Sequence, residues 1–204
     1  MTRRVSVIAL LAGAVLSAGP LSAQPGERED AHLRNDCRLA AQVLRTGHPA
    51  PRHAWALGAI RRCDISGPEV LAAVWRERVP SDTVELGELF AATRDFNDRR
   101  VVDAVADVAR RTQAPETTRI YALALLFNYA APGLYVDFHD LLHPGSHLPA
   151  LSSVSHDTRA QETRALLGDL RPAVREILGS VVAAEPASRV GSAAGIVLRL
   201  LPRT

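Results

Sequence analysis

An all-α domain of antiparallel helical hairpins is predicted by three observations. From Ala31 onward apolar residues recur at helical spacing, broken only by short steps rich in Pro, Gly, Asn and Asp. Runs of alternating β-branched residues are few. The composition is rich in Ala and Leu and only 4% aromatic, which favours helix.

The chain opens on a segment outside that domain. Arg3 and Arg4 form a short positive stretch, and Val5 to Ala18 is apolar but shorter than the roughly 18 to 20 residues that span a bilayer. Gly19 and Pro20 break the helix, and Leu21-Ser22-Ala23 ends in a small residue. Residues 1–23 are therefore read as a secretory signal peptide cut before Gln24. The alternative is an uncleaved anchor, because Leu21 is not an ideal −3 residue. No cysteine stands near the cut, which argues against a lipid anchor. Residues 24–204 are read as a single helical-repeat domain, periplasmic or secreted, with no membrane span once the signal is removed.

Removing that segment changes the charge. All 24 Lys+Arg are arginine, so losing Arg3 and Arg4 leaves 22 against 22 Asp+Glu. The signs also balance locally, with 14 of each at 27–111 and 8 of each from 114 onward. A nucleic-acid binder carries a net basic face or stripe, and neither half does. No nucleic-acid partner is expected. The lysine-free, Ala- and Arg-rich usage fits a GC-rich bacterial genome.

The first hairpin is read as helices at about 31–46 and about 51–63, joined through Thr46-Gly47-His48-Pro49-Ala50. Cys37 and Cys63 are the only cysteines. They stand roughly ten residues before the turn and roughly thirteen after it, so they reach similar heights along an antiparallel pair. In an oxidising compartment a disulfide is expected. It stabilises by about 3 kcal/mol in the chain-entropy model. The alternative is two separate thiols.

The later helices follow in order. Ser66-Gly67-Pro68 is read as a serine cap with proline at the first helical position, ahead of Val70, Leu71 and Val74, to about Arg78. Val79-Pro80 stops that helix. Asp82 with Glu85 is a capping-box-like start, followed by Leu86, Leu89 and Phe90. Asn97-Asp98 opens a helix that keeps Val101, Val102, Val105, Val108 and Ala109 at helical spacing. Gln113-Ala114-Pro115 separates it from a helix running from Glu116 to about Ala131. The run at 120–127 (IYALALLF) is too short for lipid and is expected in an inner layer. Trp55, Trp75, Phe90, Phe96, Phe127 and the tyrosines are expected in the core, with an exposed helix-helix corner as the second reading for Tyr129 to Tyr135.

Three helix starts share a pattern of Pro, a polar step, Arg, then an Ala/Leu-rich stretch: Pro49 to Arg52, Pro115 to Arg119 and Pro186 to Arg189. The arginines are 67 and 70 residues apart, about twice the period of a two-helix repeat. Hairpins stacked as a short α-solenoid are therefore expected, with irregular, unstacked hairpins as the alternative. Arg52-His-Ala-Trp-Ala-Leu-Gly-Ala-Ile-Arg61 resembles the first helix of HEAT-like repeats, and Pro68-Glu-Val-Leu-Ala-Ala-Val-Trp75 its second. The likeness is clearest at residues 49–142 and looser at 171–201; the unit at 81–113 lacks the Arg and the Ala-Leu-Gly. The resemblance implies an interaction scaffold with a protein or peptide partner.

Pro144 to His156 breaks the helical pattern and is read as a loop insertion at about 144–156. Around it gather His139, His143, His147 and His156, with Asp137, Asp140 and Asp157. His139 and His143 are four apart on one helical face, a spacing that suits a divalent metal. His139, Asp140, His143 and His147 are the candidate ligands. The likeness to H-E-x-x-H is superficial, because Asp140 is too short for the glutamate's role as base and Pro144 ends the helix. His139-Asp140 and His156-Asp157 resemble the pairs of helical metal-dependent phosphohydrolases, whereas the His-Glu pairs of HEAT-like di-iron hydroxylases are missing. The competing reading is a polar surface loop with Asp157 as a helix cap. Ser152, Ser153 and Ser155 lack a strand-to-helix elbow, and the chain has neither a Gly-rich phosphate loop nor a C-x-x-C pair. No catalytic residue is assigned. A binding scaffold is expected, and a metal-binding protein or metal-dependent hydrolase is the alternative.

Overall fold

The computed structural model describes residues 25–46, 50–80, 82–136, 138–143, 149, 151–153 and 158–203. Among these the protein is all-α apart from one small antiparallel sheet. The helices are α1 (Pro25–Thr46), α2 (Ala50–Ile60), α3 (Gly67–Glu77), α4 (Thr83–Arg94), α5 (Arg99–Arg110) and α6 (Glu116–Ala130). Then come β1 (Leu134–Val136), α7 (Phe138–Leu142), β2 (Leu151–Ser153), α8 (Thr158–Leu167), α9 (Arg171–Ala184) and α10 (Arg189–Leu200). No helix among the described residues is long and apolar enough to cross a membrane.

Local chemistry sets several of the helix starts. Asp82 precedes α4 with extended backbone, and its carboxylate accepts from the backbone N–H of Val84 at 2.9 Å and of Glu85 at 3.0 Å. Asp98 caps α5 by accepting from Arg100 N–H at 2.8 Å, and the Arg100 side chain holds its carboxyl below the usual aspartate range. Both starts fall where the residue types place them. Ser66 does not cap α3. Its backbone is already helical (φ −91, ψ −23), so the hydroxyl is not aimed at the first-turn amides. Gly67 N–H instead donates to Cys63 C=O at 2.7 Å, closing the preceding turn. A Cβ on Gly67 would stand 2.6 Å from the Phe96 ring, so only glycine lets α3 begin there.

The helices pack in two interleaved series. α1, α3, α5 and α9 each contact the next in that order, and so do α2, α4, α6 and α10. Contacts between α1 and α2, α5 and α6, and α9 and α10 join the series. α6 lies innermost, touching α4, α5, α7, α9, α10 and β1. From Ile120 to Phe127 every residue but Tyr121 is buried, so the apolar run is an inner-layer helix.

Two polar networks lie within this core. Trp75 Nε1 donates to Thr93 Oγ1 at 2.8 Å, and that hydroxyl donates to Leu89 C=O at 2.6 Å. Tyr129 Oη donates to the carbonyls of Thr93 at 2.8 Å and Phe96 at 3.1 Å, tying α6 to α4. Tyr129 is therefore a core residue, and the exposed-corner reading fails for it. Trp55 departs from expectation the other way: it is 45% exposed on α2, whereas Trp75 is fully buried.

The second network is ionic. The Arg119 side chain is 3% exposed; its guanidinium donates to Glu185 Oε2 at 2.9 Å and Oε1 at 2.7 Å, while Nε donates to Ala109 C=O at 3.1 Å. One α6 side chain thus joins the C-terminal ends of α5 and α9. Glu185 also accepts from Ser188 Oγ at 3.3 Å, and Ser188 caps α10 by accepting from Gly191 N–H at 2.9 Å. A Cβ on Gly191 would fall 1.9 Å from Glu185 O, so the tight α9–α10 turn requires glycine there. The three pattern arginines do not share one role. Arg52 is exposed, Arg119 is buried, and Arg189 donates to Leu142 C=O at 2.6 Å.

The expected disulfide is formed: Cys37 and Cys63 are joined, with Cα atoms 5.7 Å apart. α2 ends at Ile60, three residues short of the expected boundary, so Cys63 sits in the turn that follows. α1 begins at Pro25, six residues before the expected start. The loop at about 144–156 also differs in part. Leu151–Ser153 is a strand pairing antiparallel with Leu134–Val136, with Tyr135 opposite Ser152. Each strand has three residues, too few for alternation to be read.

Four outcomes follow from these contacts. Native protein titrates no free thiol, and C37S/C63S loses about 3 kcal/mol in urea unfolding. Thr93→Val leaves Trp75 Nε1 buried without an acceptor and costs about 1 to 2 kcal/mol. Glu185→Ala strands a buried guanidinium and costs about 3 kcal/mol; Arg119→Met costs less, and a double-mutant cycle returns a coupling of about 1 kcal/mol or more. Hydrogen bonds from Arg119 hold Glu185 below its ordinary value of 4.5. The pair's contribution is therefore complete above that pH and is lost as pH falls through the lower folded value, so Glu185→Gln flattens this part of the acid-unfolding curve.

Candidate functional site

A hollow among the described residues lies along α1. The side chains at 33, 34, 37, 38, 41, 42, 45 and 46 form one stripe of that helix at steps of about four residues. The opposite wall is the turn at 62–66, which runs from α2 into α3. Together they enclose about 830 Å³. Wall and floor are joined covalently, because the Cys37–Cys63 bond crosses between them.

The lining is both apolar and cationic. Leu33, the cystine, Ala41 and Ile65 supply the apolar part. Ile65 is 91% exposed and Leu33 38% exposed, so this hydrocarbon faces water. Arg34, Arg38, Arg45 and Arg62 stand around it, against one carboxylate, Asp64. Arg38 donates to Asn35 Oδ1 at 3.0 Å, and Arg45 meets Glu69 at 3.5 Å with both side chains exposed, a pair worth little. Among the described residues neither the Arg34 nor the Arg62 side chain has a hydrogen-bond or ion-pair partner.

A second cleft, of about 370 Å³, lies between the end of α6 and the α8–α9 corner. Its cations are already engaged. Arg164 donates to Pro132 C=O at 3.0 Å, and Arg171 grips Asp169 with bonds of 2.7 and 2.8 Å. A ligand there would have to break these contacts, whereas in the α1 groove Arg34 and Arg62 are without a partner among the described residues.

Of the four candidate metal ligands, two have described side chains. Asp140 is half-buried on α7, and His143 is exposed just beyond it. His139 lies on α7, but its side chain is outside the described residues, as are His147, Asp137, His156 and Asp157 altogether. Among the described residues no three His, Cys, Asp or Glu side chains gather as a metal would need. Tyr135 sits on β1 with the Arg94 guanidinium 6.0 Å from its ring centroid. The groove residues Arg34, Arg38, Arg62 and Ile65 carry no catalytic or ligand motif. Arg34 and Arg38 signal themselves only by the four-residue step along the first helix, which gains meaning once that face shows no packed helix among the described residues, and Arg62 and Ile65 give no such signal.

Comparison with protein-family models, with curated proteins and with solved structures finds no match to this chain.

Proposed function

We propose that this protein is an exported, non-catalytic scaffold: a short α-solenoid of HEAT-like hairpins that holds a segment of another protein or a peptide. The observation that carries the reading is the 830 Å³ groove on α1, an open hydrocarbon surface with a polar rim. The alternation of contacts within each helix series supports the solenoid, because each hairpin of such an array buries its face against its neighbours. The cystine supports a place in an oxidising compartment, as does the signal-like N-terminus.

A terminal unit of such an array needs only a polar outer face to stay in solution. α1 contacts α2 and α3 and carries arginines on its remaining face, which would suffice for a cap. The apolar floor and the protruding Ile65 go beyond that requirement and fit a binding surface.

A photo-crosslinking residue at Ile65, expressed in a bacterial host with the chain's own N-terminus, tests the reading. It should yield a discrete protein adduct in the cell envelope that the same residue at exposed Glu88 does not. Equal labelling from both positions, or none from either, overturns it.

A further inference from the structure

We propose that the α1 groove receives an acidic amphipathic helix of a partner protein, its apolar ridge over the cystine and its carboxylates between the arginines. The inference rests on the scaffold reading and adds the chemistry of the occupant.

The shape argues for a helix. The stripe from Leu33 to Thr46 is about 20 Å long at 1.5 Å per residue. Its residues recur at i, i+4, i+8 and i+12, the ridge that one helix offers another. The turn at 62–66 gives this ridge a side wall, so an incoming helix meets a groove, the arrangement in which apolar residues at i, i+3, i+4 and i+7 anchor.

The charge argues for acid. Four arginines face one aspartate around the groove, and Arg34 and Arg62 have no partner among the described residues. Arg34, Arg38 and Arg45 lie along one helical face over a span of about 16 Å. A single carboxylate or one lipid headgroup can engage only part of that span, whereas Glu or Asp on both flanks of a helix can answer all of it. Guanidinium groups also suit carboxylates because they bind them bidentately.

Two other occupants fit less well. A second copy meeting this face across a two-fold axis would set the same four arginines against themselves. The chain's own apolar stretch, Val5 to Ala18, has no carboxylate to offer them.

Three labelled synthetic peptides of about 14 residues decide the matter by fluorescence anisotropy against the purified protein. One has a leucine ridge at helical spacing with glutamates on its flanks. The second carries lysine for every glutamate, and the third is a scramble of the first. The acidic amphipathic peptide should bind at least about tenfold more tightly than either control at low ionic strength, and its lead over the lysine peptide should shrink with added salt. Ile65→Asp and R34Q/R62Q should each weaken it about tenfold or more with melting temperatures unchanged, since Ile65 is 91% exposed and the two exposed arginines have no polar partner among the described residues. Equal binding of the acidic and lysine peptides, equal binding of the scramble, or binding that survives Ile65→Asp overturns the inference. So does a concentration-dependent dimer that Ile65→Asp abolishes. If Ile65 crosslinks specifically in cells while the acidic peptide shows no preference, this inference fails and the scaffold reading stands. If specific crosslinking is also missing, both fail.

Discussion

α6 carries apolar side chains around almost its whole circumference, so any arrangement leaving one of its sides in water would expose a long strip of hydrocarbon. The remedy is enclosure by α4 and α5 on the earlier side and by α9 and α10 on the later one. Enclosure has its own cost at the helix start, where Arg119 is carried inward with the rest. An arginine keeps its charge at any accessible pH, so it must be partnered. Glu185 and the Ala109 carbonyl supply the partners and lie at the ends of two further helices. The hydrocarbon of α6 thus requires the neighbours, and the charge on α6 fixes where they end. Gly191 completes this arrangement, because the α9–α10 turn closes on Glu185 only if no Cβ stands in the way.

Helices were legible in the sequence wherever the signal was local. Asp82 and Asp98 cap because a short carboxylate beside an extended backbone reaches the next amides without help from elsewhere. Ser66 has a suitable side chain but misses, since its backbone conformation is set by the turn from Cys63. The same divide separates Trp75 from Trp55. Both occur in apolar helical runs, and only the placing of α3 against α5 and of α2 against α4 determines which indole is covered. The β1–β2 ladder joins residues across a gap longer than either strand, so neither strand signals itself.

The groove was illegible for a related reason. A face left without a neighbour is a property of the whole packing, and nothing in the stripe from Leu33 to Thr46 distinguishes it from an ordinary amphipathic helix awaiting a partner within its own fold. The cystine, by contrast, was legible: two cysteines on either side of one turn can be placed by counting, with no knowledge of the remaining helices.

These two features depend on each other. Among the described residues α1 packs chiefly on α2 and α3, and the turn at 62–66 that forms the opposite wall has no helical hydrogen-bond ladder of its own. The Cys37–Cys63 bond joins helix to turn at the floor of the hollow. With it in place, the helix that carries Leu33 and Ala41 and the turn that carries Ile65 are held together, which lowers the ordering cost of any association. Without it, nothing covalent would keep the two walls at one distance. The hollow as described is that of the oxidised protein. The same cystine that stabilises the first hairpin therefore also sets the spacing of the groove's walls.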